Sequence, residues 1–337
     1  MMVKITDVAR HAGVSPSTVS YALSGKRPIS AETRRRVEEA VRRLGYRPHA
    51  GARALAGGRS KVLAMVVPLR AGINVPVVMR FAVSAVTTAR RYDHDVLLLT
   101  QEEGEEGLRR VVDMALVDGL IVMDVQLDDP RLALLRGLDR PSVMIGFPAD
   151  SKGLTCIDLD FKAAGEACVE HLARLGHRVV ALVGSPPEVY VRGTAFAQRV
   201  VQGFTAAADR GRLTSAVHPC EPTPAAARAV AAQLLREQPA LTGVVVHNEA
   251  ALEPLIDAFE ELGLRVPADL SVTAICPDEL AASLRVPVTS IALPADEVGA
   301  RAVELLMRKL DGKPVPEATS LSPRMTERGS TAQRAVA

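Results

Sequence analysis

The side chains best placed to do chemistry in this 337-residue chain are hydroxyls, crowded into the stretch "VSPSTVSYALSGKRPIS" from Val14 to Ser30. Serine and threonine compete with backbone hydrogen bonding inside a helix. At its first turn they accept from orphan N–H groups and leave short polar side chains facing outward. The chemistry such a row offers is recognition rather than bond cleavage. The chain carries no GxSxG, no Walker loop, no HExxH, and no GxGxxG after its first apolar strand. Its seven histidines do not cluster at metal-ligand spacing; His171 and His177, six apart around a helix end, read as surface or packing residues. No catalytic residue, metal ion or cofactor is therefore expected. Cys156, Cys168, Cys220 and Cys276 are scattered with no CxxC pair, which reads as four reduced structural thiols.

Three short helices must position those hydroxyls. "TDVARHAG" reads as the first, with Thr6 as N-cap, Val8, Ala9 and Ala12 inward, and Gly13 in the tight turn. Ser15 then caps a second helix, Pro16 takes the first helical position where its missing N–H costs nothing, and Val19, Ala22 and Leu23 form the apolar stripe. Ser24-Gly25 ends it. "SAETRRRVEEAVRRLG" supplies a third helix with Ser30 as cap, Val37, Ala40, Val41 and Leu44 as core, and Gly45 as stop. Helices in this order describe a helix-turn-helix, whose second helix enters the major groove with its N-terminal residues nearest the bases. Pro16, Ser17 and Tyr21 are placed for base contact, and Thr6, Ser15, Thr18, Ser20 and Arg34 for phosphates, which set register without reading sequence. The alternative is a small bundle in which the serines are only caps.

Charge supports a polyanionic partner. Through Lys61 there are 13 lysines and arginines against four acids, whereas the rest has 28 against 35, so a basic module precedes an acidic body within a net charge of +2. A solvated charged face would account for the charge alone.

From "ITDVARHAG" through "LGYRPHAGARALAGGRS", the N-terminal segment resembles the DNA-binding headpiece of the lactose-repressor (LacI/GalR) family of bacterial transcriptional regulators. The resemblance implies that the segment after "LGYRP" is a hinge helix, which two subunits insert side by side into the minor groove of a palindromic operator. His49, Arg53, Leu55 and Ala56 would then touch DNA, with Leu55 as the leucine that wedges a base step apart. Ala50 to Ala56 is helix-prone but too short to be stable alone, Gly51 lowers its propensity and Gly57-Gly58 uncouples it from the chain beyond, so Pro48 to Ala56 is expected to fold only on the operator; a plain flexible linker is the alternative.

Beyond Val62 the texture changes. "VLAMVV", "DVLLL", "GLIVM" and "SVMIG", then "CIDLD", "VVALVG", "GVVVH" and "LSVTAI", are continuous apolar runs alternating with helical segments such as Phe161 to Leu175, Pro224 to Glu237 and Ala250 to Leu262. Such runs mark parallel strands covered on both faces, and two doubly wound α/β lobes are the expected result. "CIDLDFKAAGEACVEHLARLGHRVVALVG" resembles the effector-binding core of the same family, which is similar to type I periplasmic sugar-binding proteins.

The expected organisation is a headpiece at 1–47, a hinge helix and linker at 48–60, a two-lobed effector-binding and dimerisation core at 61–325, and a frayed tail at 326–337. The first lobe is expected at about 61–153 plus 288–312 and the second at about 154–287 plus 313–325. No leucine heptad succeeds the core, so a homodimer rather than a tetramer is expected. With no apolar run of about 18 residues and no signal-peptide core, a cytoplasmic protein without membrane contact is expected.

Parallel-sheet lobes bind ligands at the carboxyl ends of their strands. The effector candidates are accordingly Asn74, Phe147, Asp150, Asp160, Arg192, Arg199, Glu249 and Asp278. Carboxylates and guanidiniums suit a sugar or other hydroxyl-rich metabolite because each can pair with two adjacent hydroxyls; each also reads as a lobe-surface ion pair. Two departures from the family pattern stand out. Asn248-Glu249 replaces the usual Asn-Asp, and Gln198 stands five residues before Gly203 where an arginine is usual, with Arg199 beside it. With no Trp, four Tyr and six Phe, platforms for stacking a sugar are scarce. The function implied is a ligand-controlled repressor of a palindromic operator; the rival is a metabolite-binding protein without operator-specific DNA reading.

Overall fold

A computed structural model describes residues 3–24, 27–46, 59–101, 104–114 and 116–334. The headpiece begins with α1 (Ile5–Ala12). Thr6 lies inside this helix rather than capping it, because Asp7 reaches back to accept from the Lys4 N–H at 2.9 Å and closes the first turn from the third position. Gly13 ends α1 at φ 64°, a left-handed conformation that only glycine takes without strain, and the Arg36 guanidinium clamps the turn through the Ala12 and Gly13 carbonyls.

Ser15 caps α2 (Pro16–Ser24), its Oγ accepting from the Thr18 N–H at 3.1 Å. Ser30 caps α3 (Ala31–Leu44) in the same way through Thr33. Val8, Ala9, Ala12, Val19, Val37, Ala40 and Tyr46 form the buried core. Leu23 is not part of it. The helix meets its neighbours along Val19 and Ala22, and Leu23, 100° further round, stays 40% exposed.

The core holds two six-stranded sheets. In the first lobe β1 (Val62–Val66), α4 (Val75–Arg91), β2 (Asp95–Leu99), α5 (Gly104–Asp113), β3 (Gly119–Val122), α6 (Leu132–Gly137), β4 (Ser142–Ile145) and β5 (Cys156–Leu159) come in order. The second lobe takes α7 (Phe161–Arg174), β6 (Val179–Gly184), α8 (Pro187–Val191), α9 (Ala195–Arg210), β7 (Thr214–Pro219) and α10 (Pro224–Glu237). It continues with β8 (Gly243–Val246), α11 (Leu252–Glu261), β9 (Ser271–Cys276), α12 (Asp278–Ser283) and β10 (Thr289–Ala292). The chain then returns to the first lobe for α13 (Ala295–Leu310) and β11 (Ala318–Leu321), and ends in the second with β12 (Met325–Thr326). Strand order is β11-β5-β4-β3-β1-β2 in one sheet and β12-β10-β9-β8-β6-β7 in the other; all pairings are parallel except β10 with β12.

These pairings redraw the expected lobe boundaries. β5, assigned to the second lobe, pairs with β4 in the first. β11 pairs with β5 there as well, while β10, assigned to the first lobe, pairs with β9 in the second. Each of these strands lies beside a crossover, where the next partner is chosen by contacts far away in sequence.

Residues 326–334 are not a frayed tail either. Ser330 is fully buried, with its Oγ accepting from the Thr289 N–H at 2.8 Å and donating to the Val272 carbonyl at 2.6 Å, and the Arg334 N–H reaches the Leu175 carbonyl at 2.7 Å. His171 and His177 are buried under this segment, bonded to Thr331 and to the Ala332 carbonyl.

Close backbone contact holds α7 to α9. A Cβ on Gly203 would sit 2.0 Å from the Lys162 carbonyl, and one on Gly165 2.6 Å from that of Val200. Both positions therefore exclude a side chain. Across the sheets, the apolar strand interiors fill the layers between helices: Leu63, Met65, Ile121, Val143 and Ile157 on one side of the first sheet, Ala64, Leu120 and Met144 on the other. The carboxyl ends of β1, β3, β4 and β5 thereby face those of β6 and β8.

Candidate functional site

Two sites emerge. On the headpiece, Ser15 Oγ lies 2.8 Å from both Ser17 Oγ and Thr18 Oγ1, so the hydroxyls form a network pinned to the start of α2. Pro16 and Ser17 are exposed, Thr18, Ser20 and Tyr21 half-buried, and Thr6 and Arg34 exposed on the neighbouring helices. The Arg27 guanidinium lies over the Tyr21 ring, 5.1 Å from its centroid. His49, Arg53, Leu55 and Ala56, with the whole hinge expected over Pro48 to Ala56, lie outside the described residues.

Where the chain enters the first lobe it is tied down. Buried Asp118 accepts from the Ser60 N–H (2.6 Å), the Ser60 hydroxyl (3.0 Å) and the Lys61 N–H (2.8 Å), with His94 Nε2 at 3.3 Å; Arg59 bonds the Leu310 carbonyl at 2.6 Å.

The second site is a cavity of about 560 Å³ between the lobes, within the range of small-molecule sites. The lobes are strapped beside it: the Ala195 N–H donates to Val125 and the Leu127 N–H to Gly193, each at 2.9 Å. Arg80 of α4 forms ion pairs with Glu279 of α12 and Asp296 of α13.

Of the residues expected to meet a ligand, Asn74, Arg192 and Glu249 line this cavity. Asn74 caps α4 through Val77 and hydrogen-bonds Glu249; burial raises the Glu249 pKa against that bond. Arg192 Nη1 donates to the Ala71 carbonyl at 3.0 Å, and Nε lies 3.9 Å from Asp124.

The other five are turned to other partners and do not line the cavity. Asp150 pairs with Arg136 at 2.8 Å, Asp278 with Arg328, and Asp160 caps α7 by accepting from the Ala163 N–H at 2.9 Å. Arg199 donates to the carbonyls of Phe147 and Pro148, with its guanidinium over the Phe147 ring. These polar groups are held by partners outside the cavity lining.

Sequence reasoning missed Asp124, Asp158, Phe161, Phe196 and His247 in the lining. Phe161, Phe196 and His247 form one aromatic wall with ring centroids 5.6–5.7 Å apart. Burial pushes the His247 pKa down to about 4, so the ring is neutral. Burial also drives the Asp158 carboxyl up to about 7, although the Leu159 N–H and Arg199 favour its ionised form. Asp124 is raised by burial as well, against the opposing charges of Arg192, Arg70 and Arg131. The signal was the rule already in use, strand ends: positions 124, 158 and 247 lie at or just beyond β3, β5 and β8. Picking charged residues in the loops after the strands passed over them.

Comparison with known proteins agrees with both halves. Residues 4–49 match the model for bacterial regulatory proteins of the lacI family, and residues 169–331 that for a periplasmic binding protein-like domain. The chain is 30% identical over 320 residues, 91% of its length and 88% of the relative's, to HTH-type transcriptional regulator AglR of Rhizobium meliloti (strain 1021). It is 26% identical to catabolite control protein A of Priestia megaterium, covering 94% and 95% of the two chains. Among solved structures, the lac repressor dimer bound to operator and the anti-inducer ONPF superimposes with a TM-score of 0.79 at 24% identity, covering 98% of this chain and all of that one.

Proposed function

This chain belongs to the lacI family of bacterial regulatory proteins, and we propose that it is a homodimeric, ligand-responsive transcriptional repressor. Its relatives are DNA-binding transcriptional regulators, not enzymes. Two headpieces read the half-sites of a palindromic operator, with Pro16, Ser17 and Tyr21 at base edges and Thr6, Ser15, Thr18, Ser20 and Arg34 at phosphates. The hinge helices pack at the centre through Leu55. The effector occupies the interlobe cavity and changes the angle between the lobes. Asp118 links that motion to DNA, because it fixes the hinge exit at Ser60 and Lys61 to the first lobe and carries the hinge wherever the lobe turns. A coupling of about 1–3 kcal/mol between the sites is typical of such regulators and acts in either direction.

We place the protein in the cytoplasm with its operator; among the described residues no helix is long and apolar enough to cross a membrane. The observation that carries this reading is a serine-capped recognition helix on the same chain as an interlobe cavity. Selection of bound sequences from a random duplex library, with and without a metabolite panel, tests it. A palindrome that one metabolite releases or retains is expected. Enrichment of no sequence in any condition would favour a metabolite-binding protein that does not read bases.

A further inference from the structure

We propose that the effector is a predominantly apolar molecule ending in a single carboxylate, rather than a free sugar. The inference rests on the reading of the interlobe cavity as the effector site.

Most of the cavity wall is hydrocarbon or aromatic, with Ile73, Val75, Phe81, Met123, Phe161 and Phe196 among its lining. A sugar carries a hydroxyl on nearly every carbon, and each one buried without a partner is costly. Of the side chains suited to pairing with hydroxyls, Asp150, Asp278 and Arg199 lie outside the cavity on partners of their own, and of those in the lining Asn74 caps α4, Asp158 accepts from the Leu159 N–H and Asn248 donates to the Cys220 carbonyl.

One end of the cavity differs. Arg192 spends Nη1 on Ala71, while its Nε and Nη2 are buried with no hydrogen-bond partner. Those two N–H groups form the side-on fork that takes a carboxylate in two parallel bonds. Asp124 does not fill the fork: its Oδ2 is 3.9 Å from Nε, beyond hydrogen-bond range, and is shared with Arg70 at 3.4 Å. Asp124 is thus drawn towards Arg70, and the Nε and Nη2 of Arg192 stay without a hydrogen-bond partner. The nearby Arg131 is matched by its own pair with Asp129.

Burial lessens the negative charge that the remaining acids of the lining present to an anion. Burial raises the pKa of both Asp158 and Glu249, favouring their neutral forms, and His247 is uncharged. Asp158 also stands on β5, two strand positions from β3, roughly 10 Å from the Asp124 end by strand spacing.

Calorimetry and thermal shift on the full chain test the assignment with 3-phenylpropanoate and octanoate, the amides of both, and glucose, galactose and sucrose. At least one acid is expected to bind about tenfold tighter than its amide, since the amide cannot fill the charged fork. Arg192→Gln is expected to abolish that preference, and Arg192→Lys, which keeps the charge without the fork, to retain only part of it. Binding of sugars alone, of none of the probes, equal binding of acid and amide, or a preference that survives Arg192→Gln overturns the proposal. Should the variants fail to fold, the acid-to-amide ratio in the unaltered chain decides. The operator selection fails or succeeds independently: a sugar that releases the selected palindrome would end this assignment and leave the repressor standing.

Discussion

Replacing Asp158 by asparagine is expected to stabilise the protein, by an amount that grows with pH. The carboxyl is buried at the cavity end of β5, where Oδ1 accepts from the Leu159 N–H at 2.9 Å. Burial lifts its pKa to about 7 in the folded chain. An aspartate in the unfolded chain ionises near 3.9, so between about pH 4 and pH 7 the folded state holds a proton that the unfolded state has released. Folding stability therefore falls as pH rises through that window. Three units at about 1.4 kcal/mol each make a penalty of about 4 kcal/mol at neutral pH and above. Asparagine has the shape of the protonated acid and does not titrate, so Asp158→Asn removes the penalty. Its stabilisation should grow by about 3 kcal/mol between pH 5 and pH 8, the part of the window that lies above pH 5. Urea unfolding of the two proteins at both pH values, followed by circular dichroism, measures the difference. A gain that is the same at both pH values would refute the reasoning, because it would mean that Asp158 is already ionised in the folded protein at pH 5.

Three further outcomes are expected from the same structure. Tyr21→Ala should cost about 1–3 kcal/mol of discrimination between operator and random duplex in competition binding, and equal losses on both DNAs would remove Tyr21 from base reading. Leu55→Ala should weaken operator binding by about tenfold or more while ligand binding measured by calorimetry is unchanged, since the wedge acts only on DNA; undiminished operator affinity would make the segment a plain linker. Truncation after Glu327 should destabilise the second lobe by about 2–6 kcal/mol, since it leaves the buried N–H groups of Val272 and Thr289 without partners, each costing about 1–3 kcal/mol. An unchanged melting temperature would restore the frayed-tail expectation.

Much of this protein was legible in its sequence because much of it is local. Ser15 and Ser30 cap the helices they precede, Gly13 and Gly45 end the helices before them, and Val8, Val19 and Val37 meet in the headpiece core. The buried strands were as plain, since a parallel strand covered on both faces is a continuous apolar run. β7 was harder: its residues are half-buried or exposed, so it reads as polar. β10, β11 and β12 are short strands near crossovers, with little periodicity to mark them.

Tertiary structure alone decided which lobe each crossover strand joins and which polar side chains the cavity receives. Sequence supplied the inventory of acids and arginines near strand ends, and with it the class of protein. It could not show that Asp278 would find Arg328, fifty residues away, or that Asp150 would find Arg136, while Asp124, Asp158 and His247 would be left facing the cavity. A charged side chain is free for a ligand only when no neighbour satisfies it first, and those neighbours are brought together by the fold.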